Sequence, residues 1–220
     1  MRHEDFPNGT GKVDAEDMRA VVDVAFVNCM EHREKRSFDK TIDIVMGEYK
    51  REGRYKGWLA ICLKPSHGWK DWLINLCAFG STHTGYRKEF NRHFSDINSM
   101  IMARLDLAER GIIISGRSKG GAEAVMLGEY IRLVHDRILV GAIEPPRAFG
   151  KKYAAKLERL FPILSTCYKN DIVPGIPPWY KTPGKMFYIG TRTNGLSIKD
   201  HEKSTTDDSI FYDYIKRMLP

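Results

Sequence analysis

Short apolar runs rich in β-branched residues alternate along this chain with longer stretches whose apolar residues recur at helical spacing. Asp14 and Asp17 read as a helix start. Met18, Val21, Val22 and Ala25 form one stripe behind them, which predicts a covering helix over 14–34. Residues 57–63 read as a buried strand. Phe90, Phe94, Ile97, Ile101 and Leu105 then recur at intervals of three and four, which predicts a long amphipathic helix over 86–109. The pattern continues with a strand at 111–115, a helix from 118 to about 134, a strand at 137–143, a helix at 151–160 and a strand at 163–168. A last strand at 185–189 and a last helix at 208–218 close the chain. Strands that alternate with helices predict an α/β fold, with a mostly parallel central sheet covered by helices on both faces. In such sheets functional groups collect outside the carboxyl ends of the strands.

Composition narrows the class. The 220 residues suffice for one domain with a sizeable core. Residues 1–12 are expected to be a loosely ordered polar lead-in carrying Pro7, Gly9 and Gly11. Hydrophobic residues make up 42% and charged residues 29%, which excludes a disordered or membrane-embedded chain. The net charge of +7, from 35 basic and 28 acidic residues, comes without a long Lys/Arg block, so no nucleic-acid partner is expected. Cys29, Cys62, Cys77 and Cys167 form no CxxC pair and read as free thiols of a reducing compartment. No stretch has the character of a signal peptide or a membrane span, so a cytoplasmic location is expected by default, with release by another route left open. No chelating cluster is visible in the sequence, and neither a metal nor another cofactor is expected.

The candidate chemistry lies where the Ile112-Ile113-Ile114 run stops. Gly116-Arg117-Ser118-Lys119-Gly120 follows, and then a helix-forming segment. Strand, Gly-x-Ser-x-Gly turn and helix are the parts of a nucleophile elbow. Gly116 and Gly120 lack a Cβ, so the chain can turn sharply at the serine. The helix N-terminus then favours a developing negative charge beside Ser118. This arrangement points to acyl transfer through a serine ester.

A serine hydroxyl needs a base, and the base needs an orienting acid. In this sheet type the partners follow the nucleophile in the order acid, then base. Asp171 comes just after the run at 163–168, in a segment stiffened by Pro174, Pro177 and Pro178. After Ser118 only His135 and His201 remain, and His135 ends the helix that leaves the site. His201 is therefore the candidate base, read as lying in a polar loop before the final helix. Its neighbour Asp200 is a poor orienter because adjacent side chains diverge.

These residues belong to a wider resemblance. The chain resembles the class 3 (fungal-type) lipases of the α/β-hydrolase fold over roughly residues 57–215. Ala60 to Leu63 followed by Lys64-Pro65-Ser66 and Asp71-Trp72 is similar to the family's strand, Arg-Gly-Ser/Thr and Asp/Asn-Trp segment. His83-Thr84-Gly85-Tyr86 resembles its His-x-Gly-Phe, and Gly116 to Ala122 resembles its Gly-His-Ser-Leu-Gly-Gly-Ala. Pro146-Arg147 resembles its Pro-Arg-Val-Gly, and Asp171-Ile172-Val173-Pro174 through Pro178 resembles the run that holds its catalytic acid. The resemblance implies Ser118 as nucleophile, Asp171 as acid and His201 as base. It also implies an oxyanion hole made by the Lys119 N–H and Ser66, and a lipid or other acyl-ester substrate.

Residues 69–77 fall where the family carries its lid. There Trp69, Trp72, Leu73 and Leu76 make one apolar face, suited either to transient contact with a membrane surface or to the core. Three departures stand out. Lys64-Pro65 replaces Arg-Gly, Glu144-Pro145 replaces a glycine and a small or polar residue, and Arg117 and Lys119 flank the nucleophile. Two cations beside the reacting ester would favour anionic or phosphate-bearing head groups. Two other readings stay open at this point: a short-chain esterase, and a non-catalytic binding module on a hydrolase scaffold.

Overall fold

The computed structural model describes residues 12–38, 42–65 and 82–219. Among them, seven strands form one sheet in chain order: β1 (Met30–Phe38), β2 (Ile42–Tyr49), β3 (Leu59–Pro65), β4 (Ile112–Arg117), β5 (Ile138–Ile143), β6 (Ile163–Tyr168) and β7 (Lys185–Ile189). β1, β2 and β3 pair antiparallel, and β3 to β7 run parallel. The helices are α1 (Ala15–Ala25), α2 (Thr82–Met102), α3 (Leu105–Ala108), α4 (Lys119–Arg132), α5 (Lys151–Leu160), α6 (Ile198–Thr206) and α7 (Ser209–Met218).

Successive strand side chains point to opposite faces. Ile112 and Ile114 therefore join one core with α2, α4 and α5, through Phe90, Leu127 and Leu157 among others. Ile113 joins a second core with α1 and α7, through Met18, Val21, Phe211 and Ile215. A strand buried on both faces reads as a continuous apolar run, which is how β4, β5 and β6 appear in the sequence. Burial of this kind fixes β4 in the middle of the sheet with its carboxyl end free to carry the serine.

The amino-terminal expectation needs correction. The helix predicted over 14–34 covers only Ala15–Ala25. Asp14 caps it, accepting from the N–H groups of Glu16 and Asp17, and Asp17 bonds back to the Asp14 N–H. The chain then turns through Val27 at φ 61° and becomes β1, which the sequence reading missed together with β2. β1 is an edge strand whose Glu31, His32, Arg33 and Lys35 face solvent, so it lacks an apolar alternation. Charged side chains on such an edge discourage pairing with another chain. The long helix predicted over 86–109 is instead α2 followed by the single turn of α3.

The elbow depends on close backbone approach. A Cβ on Gly116 would lie 2.6 Å from the Leu63 carbonyl oxygen, and one on Gly120 would lie 2.8 Å from the Leu63 carbonyl carbon. Both are well inside contact distance with backbone that cannot swing away. Gly120→Ala is expected to destabilise the fold by about 3 kcal/mol in urea unfolding. Gly175→Ala is the control: its Cβ would meet nothing within 4 Å, so it should change stability little.

Candidate active site

Ser118 stands between β4 and α4 with φ 52° and ψ −125°. The left-handed φ costs a non-glycine residue about 1–3 kcal/mol, and the surroundings hold it in place. The Ser118 N–H donates to the Ile143 carbonyl at 2.8 Å, and the Ser118 carbonyl accepts from the Gly121 N–H at 2.9 Å. The same device recurs along the rim. Glu144 follows β5 at φ 52° and Lys169 follows β6 at φ 45°.

Three side chains distant in sequence meet beside this elbow. His201 Nε2 lies 2.9 Å from Ser118 Oγ, and His201 Nδ1 lies 2.7 Å from Asp171 Oδ2. The other carboxylate oxygen of Asp171 accepts from the Val173 N–H at 2.8 Å. Ser118, Asp171 and His201 are 3%, 4% and 1% exposed, so their contacts operate with little screening by water.

His201 does not lie in a loop, as the sequence reading had it, but in the first turns of α6. Nine mostly polar residues carry too weak a stripe to signal a helix. The missed signal is the cap: Ser197 Oγ accepts from the Asp200 N–H at 3.1 Å. Asp200 is turned away from the imidazole, as expected, and accepts instead from the Asn170 N–H at 3.3 Å.

The segment bearing Asp171 is tied down on two sides. The Asn170 side chain donates to Thr193 Oγ1 at 2.6 Å and accepts from the Thr193 N–H at 3.0 Å. Arg147, from the Pro-Arg pair after β5, donates to the Pro174 carbonyl at 3.1 Å. Arg147 thus works as a clamp between two strand ends.

The flanking cations are placed differently from expectation. Arg117 has its guanidinium 4.6 Å from the centre of the Phe26 ring and donates to the Thr205 carbonyl of α6. It braces the helix that carries His201 and does not face a head group. Lys119 Nζ lies 3.4 Å from Glu123, one turn along α4. With both cations engaged inside the fold, the expected preference for anionic head groups loses its basis. Lys119 leads α4, so its N–H belongs to the first turn, which has no intrahelical acceptor. Ser66 and the lid candidates Trp69, Trp72, Leu73 and Leu76 lie outside the described residues, as do Cys77 and most of the polar lead-in.

Electrostatics fix the working state of the dyad. Burial pushes the Asp171 carboxyl up to about 7 and the His201 imidazole down to about 4. The two share a hydrogen bond and titrate as one unit. A proton taken up as pH falls through about 7 leaves Nε2 protonated, whether the pair is written as carboxylate and imidazolium or as carboxylic acid and the opposite neutral tautomer. Either form removes the acceptor for the Ser118 proton. Above that pH the pair is carboxylate and neutral imidazole, with Nδ1–H donating to Asp171 and Nε2 accepting from Ser118.

One residue of the site stood out in the sequence only as a departure from the family's pattern. Glu144 is fully buried, with Oε1 accepting from Thr166 Oγ1 at 2.9 Å and Oε2 accepting from the Tyr168 N–H at 2.8 Å. Its carboxyl lies beside that of Asp171, near enough for each charge to act on the other. The available signal was a lone acid closing the apolar run 138–143. Among the described residues, no helix is long and apolar enough to cross a membrane.

Residues 58–181 match the family Lipase (class 3). A lipase of Rhizopus niveus is 26% identical over 137 residues, which are 58% of this chain and 35% of that protein. A lipase of Rhizopus oryzae matches to the same extent. The chain thus matches about a third of the length of these relatives. Among solved structures, lipase II from Rhizopus niveus superposes with a TM-score of 0.68 at 15% identity, over 85% of this chain and 91% of that one. A triacylglycerol lipase, described as having a serine-protease triad for its catalytic centre, superposes with a TM-score of 0.66 at 13% identity, over 84% of this chain and 92% of that one.

Proposed function

The chain belongs to the class 3 lipase family, and from that premise we propose that it hydrolyses carboxylic esters of lipids through an acyl-enzyme on Ser118. The observation that carries this reading is the continuous contact from Asp171 through His201 to Ser118, at 2.7 and 2.9 Å, on an elbow at the rim of a parallel sheet. Residues 1–220 are read as one hydrolase domain.

In this reading Nε2 takes the Ser118 proton as Oγ bonds to the acyl carbon. The carbonyl oxygen becomes an oxyanion facing the Lys119 N–H, with Ser66 as second donor on the family's pattern. His201 then returns the proton to the departing alcohol. A water, deprotonated by the same nitrogen, releases the acid and frees Ser118. Asp171 fixes the tautomer and faces the imidazolium as it forms. The substrate class, acyl esters of lipids met in part at a membrane surface, rests on family membership.

A panel of p-nitrophenyl esters of graded chain length and an emulsified triacylglycerol tests the reading. Turnover is expected on long acyl chains and on the emulsion. Activity confined to acetate and butyrate would make the protein a short-chain esterase, and no turnover would leave a binding module. The acid limb of kcat/KM is expected near pH 7, falling about tenfold per unit below it, since each lost unit of pH halts base catalysis in proportion. A flat profile to pH 5 would contradict the protonation state assigned to the dyad.

A further inference from the structure

Glu144 holds a position that its own backbone disfavours. It sits at φ 52°, where glycine is the undemanding choice, and it is fully buried. A glutamate persists in such a place when its side chain is strongly held. Thr166 Oγ1 and the Tyr168 N–H hold both of its oxygens, at 2.9 and 2.8 Å, and the Thr166 hydroxyl also accepts from the Glu144 N–H at 3.2 Å. Tyr168 also ties down the neighbouring acid, its carbonyl accepting from the Asp171 N–H at 2.9 Å, so that the two carboxyls lie side by side. Two buried carboxyls stay side by side without mutual repulsion only when one of them keeps its proton. Of the two, only Asp171 faces a group that can carry a balancing positive charge, the imidazole of His201, so Asp171 is the ionised member and Glu144 the protonated one.

We propose that Glu144 is a positioning residue: its carboxyl, anchored by Thr166 and the Tyr168 N–H, donates a hydrogen bond to Asp171 and holds that carboxylate against His201. This deepens the hydrolase reading and rests on it for its effect on rate. Burial and the neighbouring Asp171 charge favour the protonated Glu144, against the weaker pull of Thr166 and the Tyr168 N–H toward the ionised form. The other ionisable groups around the pair are Cys167 on β6, with His201, Asp200 and Glu202 on α6. Arg147 and Arg192 act on Cys167 from the neighbouring segments. Arg147 is committed to the Pro174 carbonyl and Arg192 to the Tyr188 ring, so neither neutralises a second carboxylate.

Two variants and two readouts test this. Glu144→Gly keeps the left-handed backbone and removes the carboxyl, whereas Glu144→Gln keeps a donor for Asp171 and one acceptor. Glu144→Gly is expected to lower kcat about 10- to 100-fold with KM within about twofold, because a loosened Asp171 misplaces the base. Glu144→Gln is expected to recover most of that loss. The second readout needs no substrate: NMR titration of the His201 imidazole. Without the donated hydrogen bond, Asp171 presents a fuller charge, and the titration in Glu144→Gly should move up by about one unit, while Glu144→Gln stays near wild type. Wild-type kcat and titration in Glu144→Gly would overturn the proposal, as would equal losses in both variants. A protein that turns over no ester but shows the titration shift only in Glu144→Gly refutes the hydrolase reading and supports the role of Glu144 in the dyad.

Discussion

Ser118→Ala is expected to lower kcat by about a millionfold and to abolish covalent labelling by a fluorophosphonate. The change removes one oxygen. The backbone at φ 52° already tolerates a Cβ, since serine has one, so alanine brings no new strain. The cost to folding is the lost contact with His201 Nε2 at 2.9 Å, about 1 kcal/mol, and the circular dichroism spectrum should not change. The chemical loss is far larger, because among the described residues no other hydroxyl occupies the place where His201 and the elbow converge. A residual rate of about a thousandfold over water would remain from the oxyanion donors and from binding. Mass spectrometry of the labelled protein and a p-nitrophenyl ester assay check both outcomes. A variant that still labels would mean that the reactive serine lies elsewhere.

Asp171→Asn is expected to lower kcat by about ten thousandfold with the fold intact. Asparagine has the same shape, and its carbonyl can still accept from the Val173 N–H at the position of Oδ1. That choice turns the amide nitrogen toward His201 Nδ1, 2.7 Å from the present carboxylate oxygen. Two donors cannot face each other, so Nδ1 must become the acceptor and the imidazole proton moves to Nε2. In that tautomer Nε2 donates to Ser118 and cannot take its proton. The loss therefore comes from a proton in the wrong place, in a site whose heavy atoms have hardly moved. The thermal midpoint should shift by only a few degrees, whereas fluorophosphonate labelling should slow in parallel with ester hydrolysis. Activity within tenfold of wild type would remove Asp171 as the orienting acid.

The two variants test residues whose places were not equally legible. Ser118 was legible because its signal is local. The elbow needs an apolar strand, two residues without a Cβ and a helix start within a dozen positions, and Ile112 to Ala124 supplies them. Asp171 was legible from its place after the run 163–168 and from the prolines that follow. His201 was reached by elimination and order, yet its local structure was misread, because a nine-residue polar helix is specified by a cap and by packing and not by a stripe. β1 escaped for a related reason. An edge strand whose exposed residues are all polar or charged lacks the alternation that marks a strand, and only pairing with β2 reveals it. Arg117 was misassigned because a side chain one residue from Ser118 points to the opposite face of the sheet, a matter of strand geometry.

The chain by itself therefore determined the alternation of apolar runs and amphipathic helices, the elbow and the identity of the three candidate side chains. The first two are short-range patterns, set by where apolar, small and polar residues follow one another, whereas the side chains came from the elbow, from order along the chain and from the family resemblance. Only the tertiary structure decided that His201 stands 2.9 Å from Ser118, that Arg117 braces α6, and that Glu144 is buried between Thr166 and the Tyr168 N–H beside Asp171. Those relations join residues up to 88 positions apart, as Arg117 and Thr205 show. Their energies depend on burial and on which donors and acceptors are left facing each other, and neither is defined until the sheet has closed and excluded water.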